Sequence, residues 1–315
     1  MYYDQEAAPI SEDVRSQRQT TCMFNHVVAE SVEPGRKKNP LNVKIVEEIL
    51  TEELFNKAFP NARTAYTYTN FLKAIATFPS VCKAEDHCKQ ELANMFAHFQ
   101  QETAGLFYIE EINKFPYCSQ WTPWVLKIFP CSPGQLYYGR GAKQLPWNYN
   151  YGAFSQAMYG DPRVLLDNPD LVATTWLNFA SGIWFFVTPQ PPKPSMLDIV
   201  SGSWQPNEAE IAANILPGLG ATTMVINGAK ECGPTPSNPT ASLNRQRYYT
   251  SFAGALGLDI SGEKLDCKDM LLFSTAGSAN PAIYWDPDYN CRLVNWQTAF
   301  SALVDGNYQR CLDSK

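Results

Sequence analysis

Glu102 closes an apolar run, Phe96-Ala97-His98-Phe99-Gln100-Gln101-Glu102, and the neighbouring carboxylates Glu110 and Glu111 follow after Gly105. A carboxyl at the end of an apolar helical run is partly desolvated, which raises its pKa and suits a general acid. Inverting glycoside hydrolysis needs a second carboxylate roughly 6.5–9.5 Å away, with water between the two. On one unbroken helix Glu102 and Glu111 would stand ~13 Å apart along the axis and on opposite faces. Gly105 offers a break that can bring the second carboxylate back across a cleft. The next forty or so residues are crowded with Trp121, Trp124, Tyr137, Tyr138, Trp147, Tyr149 and Tyr151, interleaved with Gln144, Asn148 and Asn150. Aromatic faces stack on sugar rings, and amides hydrogen-bond hydroxyl and N-acetyl groups; an aromatic core is the other reading of the same residues.

Other chemistries have less support. The chain has three histidines, His26, His87 and His98, and no G-x-S-x-G elbow to present a nucleophilic serine. His98 and Glu102 are four apart, but H-E-x-x-H is absent, and a histidine so placed is more often a packed core residue than a ligand. No metal site and no cofactor are expected. Gly139-Arg140-Gly141 lacks the Lys-Ser/Thr of a phosphate-binding loop. The 315 residues carry 25 basic and 31 acidic side chains, a net charge of -6, which disfavours a nucleic-acid partner. With 45% hydrophobic and 18% charged residues the composition is that of a soluble globular protein. No apolar run approaches the ~18–20 residues of a membrane span.

Nine cysteines are high for a cytosolic protein and favour an oxidising compartment. Pairing neighbours in order joins Cys82 to Cys88, Cys118 to Cys131, Cys232 to Cys267 and Cys291 to Cys311, leaving Cys22 over; buried free thiols are the alternative. Met1–Ile10 has no apolar leader segment, so the secreted, extracellular location that the cysteines favour places any signal peptide outside this numbering.

These residues have to be positioned by helices. Phe71, Leu72, Ile75 and Phe78 share one face of a helix, and Leu92, Met95, Phe96 and Phe99 one face of another. A helix is predicted to start at Asn168-Pro169 with the stripe Leu171, Trp176, Phe179, Ile183 and Trp184. A last strong helix is predicted over Ser242–Leu256, stopping at Gly257. Long irregular stretches are predicted over Asn113–Gly152 and Val187–Pro206, and strand signals are few. The expected organisation is an N-terminal arm over 1–41, a mainly α (α+β) domain over 42–258, and an extension over 259–315 stapled by disulfides to the main body.

Several blocks, in order and in spacing, resemble the chitinases of glycoside hydrolase family 19. They include Glu53-Leu54-Phe55-Asn56, Gln101-Glu102-Thr103-Ala104-Gly105-Leu106 followed by Glu111-x-Asn113, and Tyr137-Tyr138-Gly139-Arg140-Gly141 with Gln144. Asn148-Tyr149-Asn150-Tyr151-Gly152, Pro192-Lys193-Pro194-Ser195 and Ile226-Asn227-Gly228 with Glu231-Cys232-Gly233 complete the series. The match is to bacterial-type, short-loop members and covers about 48–257. It implies a lysozyme-like bilobal fold with a central substrate cleft and endo-acting, inverting hydrolysis of chitin, the β-1,4-linked N-acetylglucosamine polymer. It also implies no cofactor, and chitin or its oligosaccharides as the partner.

In that resemblance Glu102 falls on the general acid and Glu111 on the general base, with Glu110 its rival. Gln144, Asn150 and Asn227 fall on substrate-binding amides, and Trp147, Tyr138 and Lys193 are further candidates for contact with substrate. Glu231 and Arg245 fall on a charged pair that supports the acid, with Arg247 an alternative to Arg245. The pairs Cys118–Cys131 and Cys232–Cys267 coincide with family disulfides. Three positions depart from the pattern. Gln101 replaces a histidine, Lys143 enters the segment Gly141-Ala142-Lys143-Gln144, and Pro146 stands where a serine helps to hold the attacking water. Proline has neither hydroxyl nor N–H, so a chitin-binding protein with weakened turnover is the alternative function, and a peptidoglycan hydrolase the alternative substrate.

Overall fold

The computed structural model describes residues 25–118, 123–190, 193–273, 284–294, 298, 300–301 and 306–315. Cys22, Trp121, Pro192 and most of the expected arm lie outside these residues, as does the side chain of His26. Helices dominate. The first five are α1 (Asn25–Glu30), α2 (Leu41–Ile49), α3 (Glu52–Ala58), α4 (Tyr68–Thr77) and α5 (Glu85–Thr103). After them come α6 (Pro123–Ile128), α7 (Asn148–Tyr159), α8 (Arg163–Asp167), α9 (Leu171–Thr174) and α10 (Leu177–Val187). The main body ends with α11 (Met196–Val200), α12 (Glu208–Ala212), α13 (Leu219–Glu231) and α14 (Pro239–Ala255). The fold is mainly α and lysozyme-like, as the sequence predicts.

The core explains why α5 is the axis of the molecule. Phe96, on α5, meets Phe59 at 5.1 Å, Phe71 at 5.2 Å and Phe252 at 5.6 Å between ring centroids. Residues from α4, α14 and the end of α3 thus converge on one side chain. Tilted and edge-on aromatic pairs of this kind add ~0.5–1.5 kcal/mol each beyond area burial. The helix α5 is held along its length, so its C-terminal end, where Glu102 sits, is a rigid platform. Elsewhere α7 packs against α8, and 106–118 and 129–147 carry little regular structure.

Three expectations about elements need correction. The helix predicted from Asn168 is two helices, α9 and α10. Thr175 turns extended between them (φ -123°, ψ -178°), its hydroxyl donating to Leu171 O at 2.7 Å and accepting from Leu177 N at 3.3 Å. A side chain that serves both ends in this way competes with the helical backbone and breaks it. The irregular stretches are less irregular than predicted, since α6 and the first turns of α7 fall inside Asn113–Gly152 and α11 inside Val187–Pro206. The last helix starts earlier, at Pro239, because Asn238 accepts from Ala241 N and proline suits the first helical position.

Both ends of the main body extend past the predicted boundaries. Ala29 and Val32 are fully buried in the main core, so the chain from α1 onward belongs to it. At the other end Cys267, Met270 and Phe273 are buried in the same core. Beyond them lies a small unit in which β1 (Tyr284–Asp286) pairs antiparallel with β2 (Arg292–Val294) and β3 (Phe300–Ser301). The helix α15 (Asn307–Asp313) closes it through Cys291–Cys311, and Lys127 of α6 donates to Ser314 O. The disulfides Cys82–Cys88, Cys118–Cys131 and Cys232–Cys267 are also formed. Among the described residues no helix is long and apolar enough to cross a membrane.

Candidate active site

Glu102 is the penultimate residue of α5, where the chain reverses. Ala104, Gly105 and Leu106 all take left-handed backbone (φ 51°, 79° and 59°). Thr103 stabilises the reversal, its hydroxyl donating to Phe99 O and accepting from Leu106 N at 2.7 Å. At Gly105 the left-handed φ of 79° favours glycine, the residue without a Cβ. The reversal sends 109–111 back along 139–141, with Gly141 N donating to Ile109 O at 2.9 Å and Glu111 N to Gly139 O at 2.8 Å. The loop carrying Glu111 is thereby registered against the loop carrying Lys143 and Gln144.

Around Glu102 the structure builds a buried charge cluster. Arg245 donates from Nε to Glu231 Oε2 at 2.8 Å, from Nη2 to Glu231 Oε1 at 2.9 Å, and from Nη2 to Glu102 Oε1. Lys143 Nζ stands 3.9 Å from the other carboxyl oxygen, Glu102 Oε2. Arg247 is exposed, so Arg245 is the partner of Glu231. Burial and the negative end of the α5 dipole would raise the acid's pKa. Burial does so here, but Lys143 and Arg245 outweigh it and hold Glu102 below the ordinary glutamate value. The expectation that desolvation leaves this carboxyl raised is therefore corrected.

His98, one turn before Glu102, belongs to the same cluster. It is buried, takes a bond from Arg245 Nη1 on Nδ1 at 3.0 Å, and meets Thr222 Oγ1 through Nε2 at 3.0 Å. The Thr222 hydroxyl donates to Leu219 O, so it accepts from His98 and from Asn94. These bonds assign the proton to Nε2 and leave the ring neutral. Burial, Arg245 and Lys143 together push its pKa well below the usual histidine range. The spacing of His98 and Glu102 on one helical face was the available signal for this shared contact.

The two candidate bases differ in their partners. Glu110 accepts from Lys114 Nζ at 2.6 Å and Tyr138 OH at 3.2 Å, with Arg140 Nε 3.6 Å away. Burial alone would raise Glu110, but these partners hold it below its ordinary value. Among the described residues Glu111 accepts from neutral donors alone, Tyr117 OH at 2.9 Å and Gly139 N at 3.0 Å. Tyr117 was not foreseen from the sequence. Its ring also packs edge-on against Trp147, 5.0 Å between centroids, and Trp147 stacks with Tyr149.

The amides are oriented by the protein itself. Gln144 Nε2 donates to Gly141 O at 3.0 Å, Asn150 Nδ2 to Pro146 O at 2.7 Å, and Asn227 Nδ2 to Glu231 Oε1 at 2.7 Å. Each amide nitrogen is thus held by a protein acceptor, and none of the three amide oxygens receives a hydrogen bond from a described residue. Asn227 reaches Glu231 from a kink inside α13 (φ -154°, ψ 33°). Lys193 is tied by its ammonium to Val225 O at 3.1 Å. Tyr138 is only 5% exposed and its ring is covered by Arg140 at 3.7 Å, so it orients Glu110 and offers no free face to a sugar. Pro146 and Trp147 lie partly buried in the same loop, with Trp147 in left-handed backbone (φ 78°).

The sequence profile described as chitinase class I matches residues 42–267. An endochitinase of Carica papaya is 39% identical over 247 residues, covering 70% of this chain and 97% of the papaya protein. Chitinase 9 of Oryza sativa subsp. japonica is 36% identical over 258 residues, 74% of each chain. Among solved structures, chitinase C from Streptomyces griseus superposes with a TM-score of 0.57 at 32% identity, over 70% of this chain and 80% of its own. A class IV family 19 chitinase from Zea mays gives 0.55 at 29% identity, over 71% of this chain and all of its own.

Proposed function

The chain belongs to glycoside hydrolase family 19, a family of chitinases, and on that footing we propose how its cleft hydrolyses chitin. Glu102 protonates the glycosidic oxygen, and Glu111 takes a proton from a water that attacks the anomeric carbon from the opposite face. The oxocarbenium-like transition state lies between them. The catalytic unit is the matched segment 42–267 together with the flanking residues buried in the same core.

The observation that carries this assignment is the contrast between the carboxylates. Two carboxyls that do different work must sit in different fields. Glu102 is in a buried cluster with cations on both oxygens, whereas Glu111 is held by a phenol and a backbone amide. Glu110 is bound to Lys114 and close to Arg140, which makes it a poor base. The oxygens of Gln144, Asn150 and Asn227 remain available to accept from sugar hydroxyls and from N-acetyl N–H groups. Trp147 and Lys193 complete the substrate contacts. Glu231 supports the site by sharing Arg245 with Glu102. Four disulfides support work in an oxidising, extracellular setting.

The test is incubation with the hexamer of N-acetylglucosamine, following product sizes and the anomer first formed. Internal cleavage with the α-anomer first is expected. An initial β-anomer would mean retention through a covalent intermediate, which needs carboxyls only about 5–5.5 Å apart. Binding with no product would indicate lost turnover, and release from cell walls alone a peptidoglycan hydrolase. Glu102→Gln should abolish turnover while leaving oligomer binding intact, since an amide cannot donate the required proton.

A further inference from the structure

We propose that Lys143 sets the protonation state of Glu102, and through it the pH range in which this enzyme turns over. The inference rests on Glu102 being the acid. Its basis is the charge balance of the buried cluster. Arg245 makes a two-pronged contact to Glu231 through Nε and Nη2, and both side chains are 1% exposed. That pair is close to neutral by itself. Glu102, 17% exposed, takes the same Nη2 through Oε1, so two carboxylates share one guanidinium. Lys143, 12% exposed and 3.9 Å from Oε2, is therefore the cation that balances the acid.

The lysine is held for this task. Its ammonium lies 4.6 Å from the Phe185 ring centroid on α10 and makes no hydrogen bond within 3.5 Å to any described residue. Lys193, by contrast, is tied to Val225 O. Gly182 keeps α10 close: a Cβ there would fall within 2.6 Å of the Phe99 ring and 3.6 Å of Lys143 Cβ. Proton occupancy on Glu102 is confined to Oε2, because Oε1 accepts from Arg245. Oε2 is the oxygen that Lys143 faces, so a proton and the ammonium compete for one side of the carboxyl.

The other charged groups do not supply the same control. His98, on α5, is neutral and accepts from Arg245. Glu231, on α13, is engaged by Arg245 and by Asn227. Lys193 has its own pKa lowered by burial and then by Lys143, and the cations that act on Glu102 are Lys143 and Arg245. An opposite charge at about 4–6 Å lowers a carboxyl pKa by about 1–3 units.

The experiment compares wild type, Lys143→Met and Lys143→Arg by kcat/KM against pH on N-acetylglucosamine hexamer. The same proteins are titrated by carbon NMR of the Glu102 carboxyl, assigned by difference from Glu102→Gln. Lys143→Met removes the charge at similar length, so the alkaline limb and the carboxyl titration should both move up by about one to two pH units. Above the wild-type midpoint the variant should be roughly ten-fold faster per unit moved. Lys143→Arg should keep the wild-type limb. A uniform rate loss in Lys143→Met, with limb and titration unmoved, would overturn the proposal in favour of a substrate-holding role. If the wild type cleaves no hexamer, the chitinase reading fails, and the carboxyl titration still decides the part played by Lys143. Lys143→Gln gives the same comparison if the methionine variant does not fold.

Discussion

At the scale of single residues, the cleft separates neighbouring carboxylates by their partners. Glu110 and Glu111 are adjacent in sequence, yet one is engaged by cations and the other by neutral donors. Glu111→Gln should lower turnover by ~10²–10⁴-fold, the usual contribution of a general base. Glu110→Gln should be mild, seen in hexamer assays as less than about a ten-fold loss, because it disturbs only the setting of Tyr138 and Arg140. The reverse ranking would show Glu110 to be the base. Pro146 makes a second residue-scale case. Its carbonyl accepts from Asn150 Nδ2, so the backbone there already orients a cleft amide. Pro146→Ser should leave that bond and add a hydroxyl to hold the nucleophilic water. One neutral hydrogen bond contributes ~0.5–1.5 kcal/mol, so kcat should rise a few-fold to about ten-fold with KM little changed. An unchanged kcat, with the hydroxyl shown by crystallography to bond that water, would mean that another group positions it.

At the scale of elements, α5 carries the acid at one end and a buried carboxyl near the other. Glu91 is 4% exposed, accepts from Cys82 N, and is pushed up by burial to about 7. Its folded-state pKa is raised above the unfolded value, so the folded state favours the protonated form. Glu91 is therefore harmless below the unfolded pKa and becomes a cost as pH rises towards and through about 7. Glu91→Gln keeps an acceptor for Cys82 N without the charge. It should raise Tm relative to wild type at about pH 8 and not at about pH 4, by a free energy of up to about 3 kcal/mol. Thermal melts at the two pH values check this; an equal effect at both would mean that packing, and not ionisation, governs the site. Glu102 has the opposite sign. Its lowered pKa contributes stability above the unfolded value that is lost as pH falls through the folded one.

At the scale of the whole molecule, the disulfides divide the chain by consequence. Cys232–Cys267 joins the end of α13 to the segment that completes the main core, where Cys267, Met270 and Phe273 are buried. Cys291–Cys311 closes only the small β unit against α15. Replacing Cys232 and Cys267 by serine should cost ~2–5 kcal/mol and lower the main unfolding transition. The same change at Cys291 and Cys311 should leave that transition and hexamer cleavage nearly unchanged. Calorimetry with parallel assays separates the two. Equal loss in both variants would show the C-terminal unit to be part of the same cooperative core.

Collinear blocks make the family legible in the sequence alone. The helical period of Phe71, Phe96 and their neighbours makes the helices legible, because burial against a common core imposes that period. Neighbour pairing anticipates all four disulfides, since short loops lie close in any compact chain. Thr175 and Asn238 show where reading stops: their break and cap depend on single side-chain bonds and leave no periodic trace. The site is legible as residue types and not as a field. Glu102, His98, Lys143, Glu231 and Arg245 come from separate parts of the chain, and a pKa depends on the distances among them. A desolvated carboxyl is predictable from the apolar run before Glu102; that two cations reverse its shift is decided only when α14 and the 139–144 loop close on the end of α5.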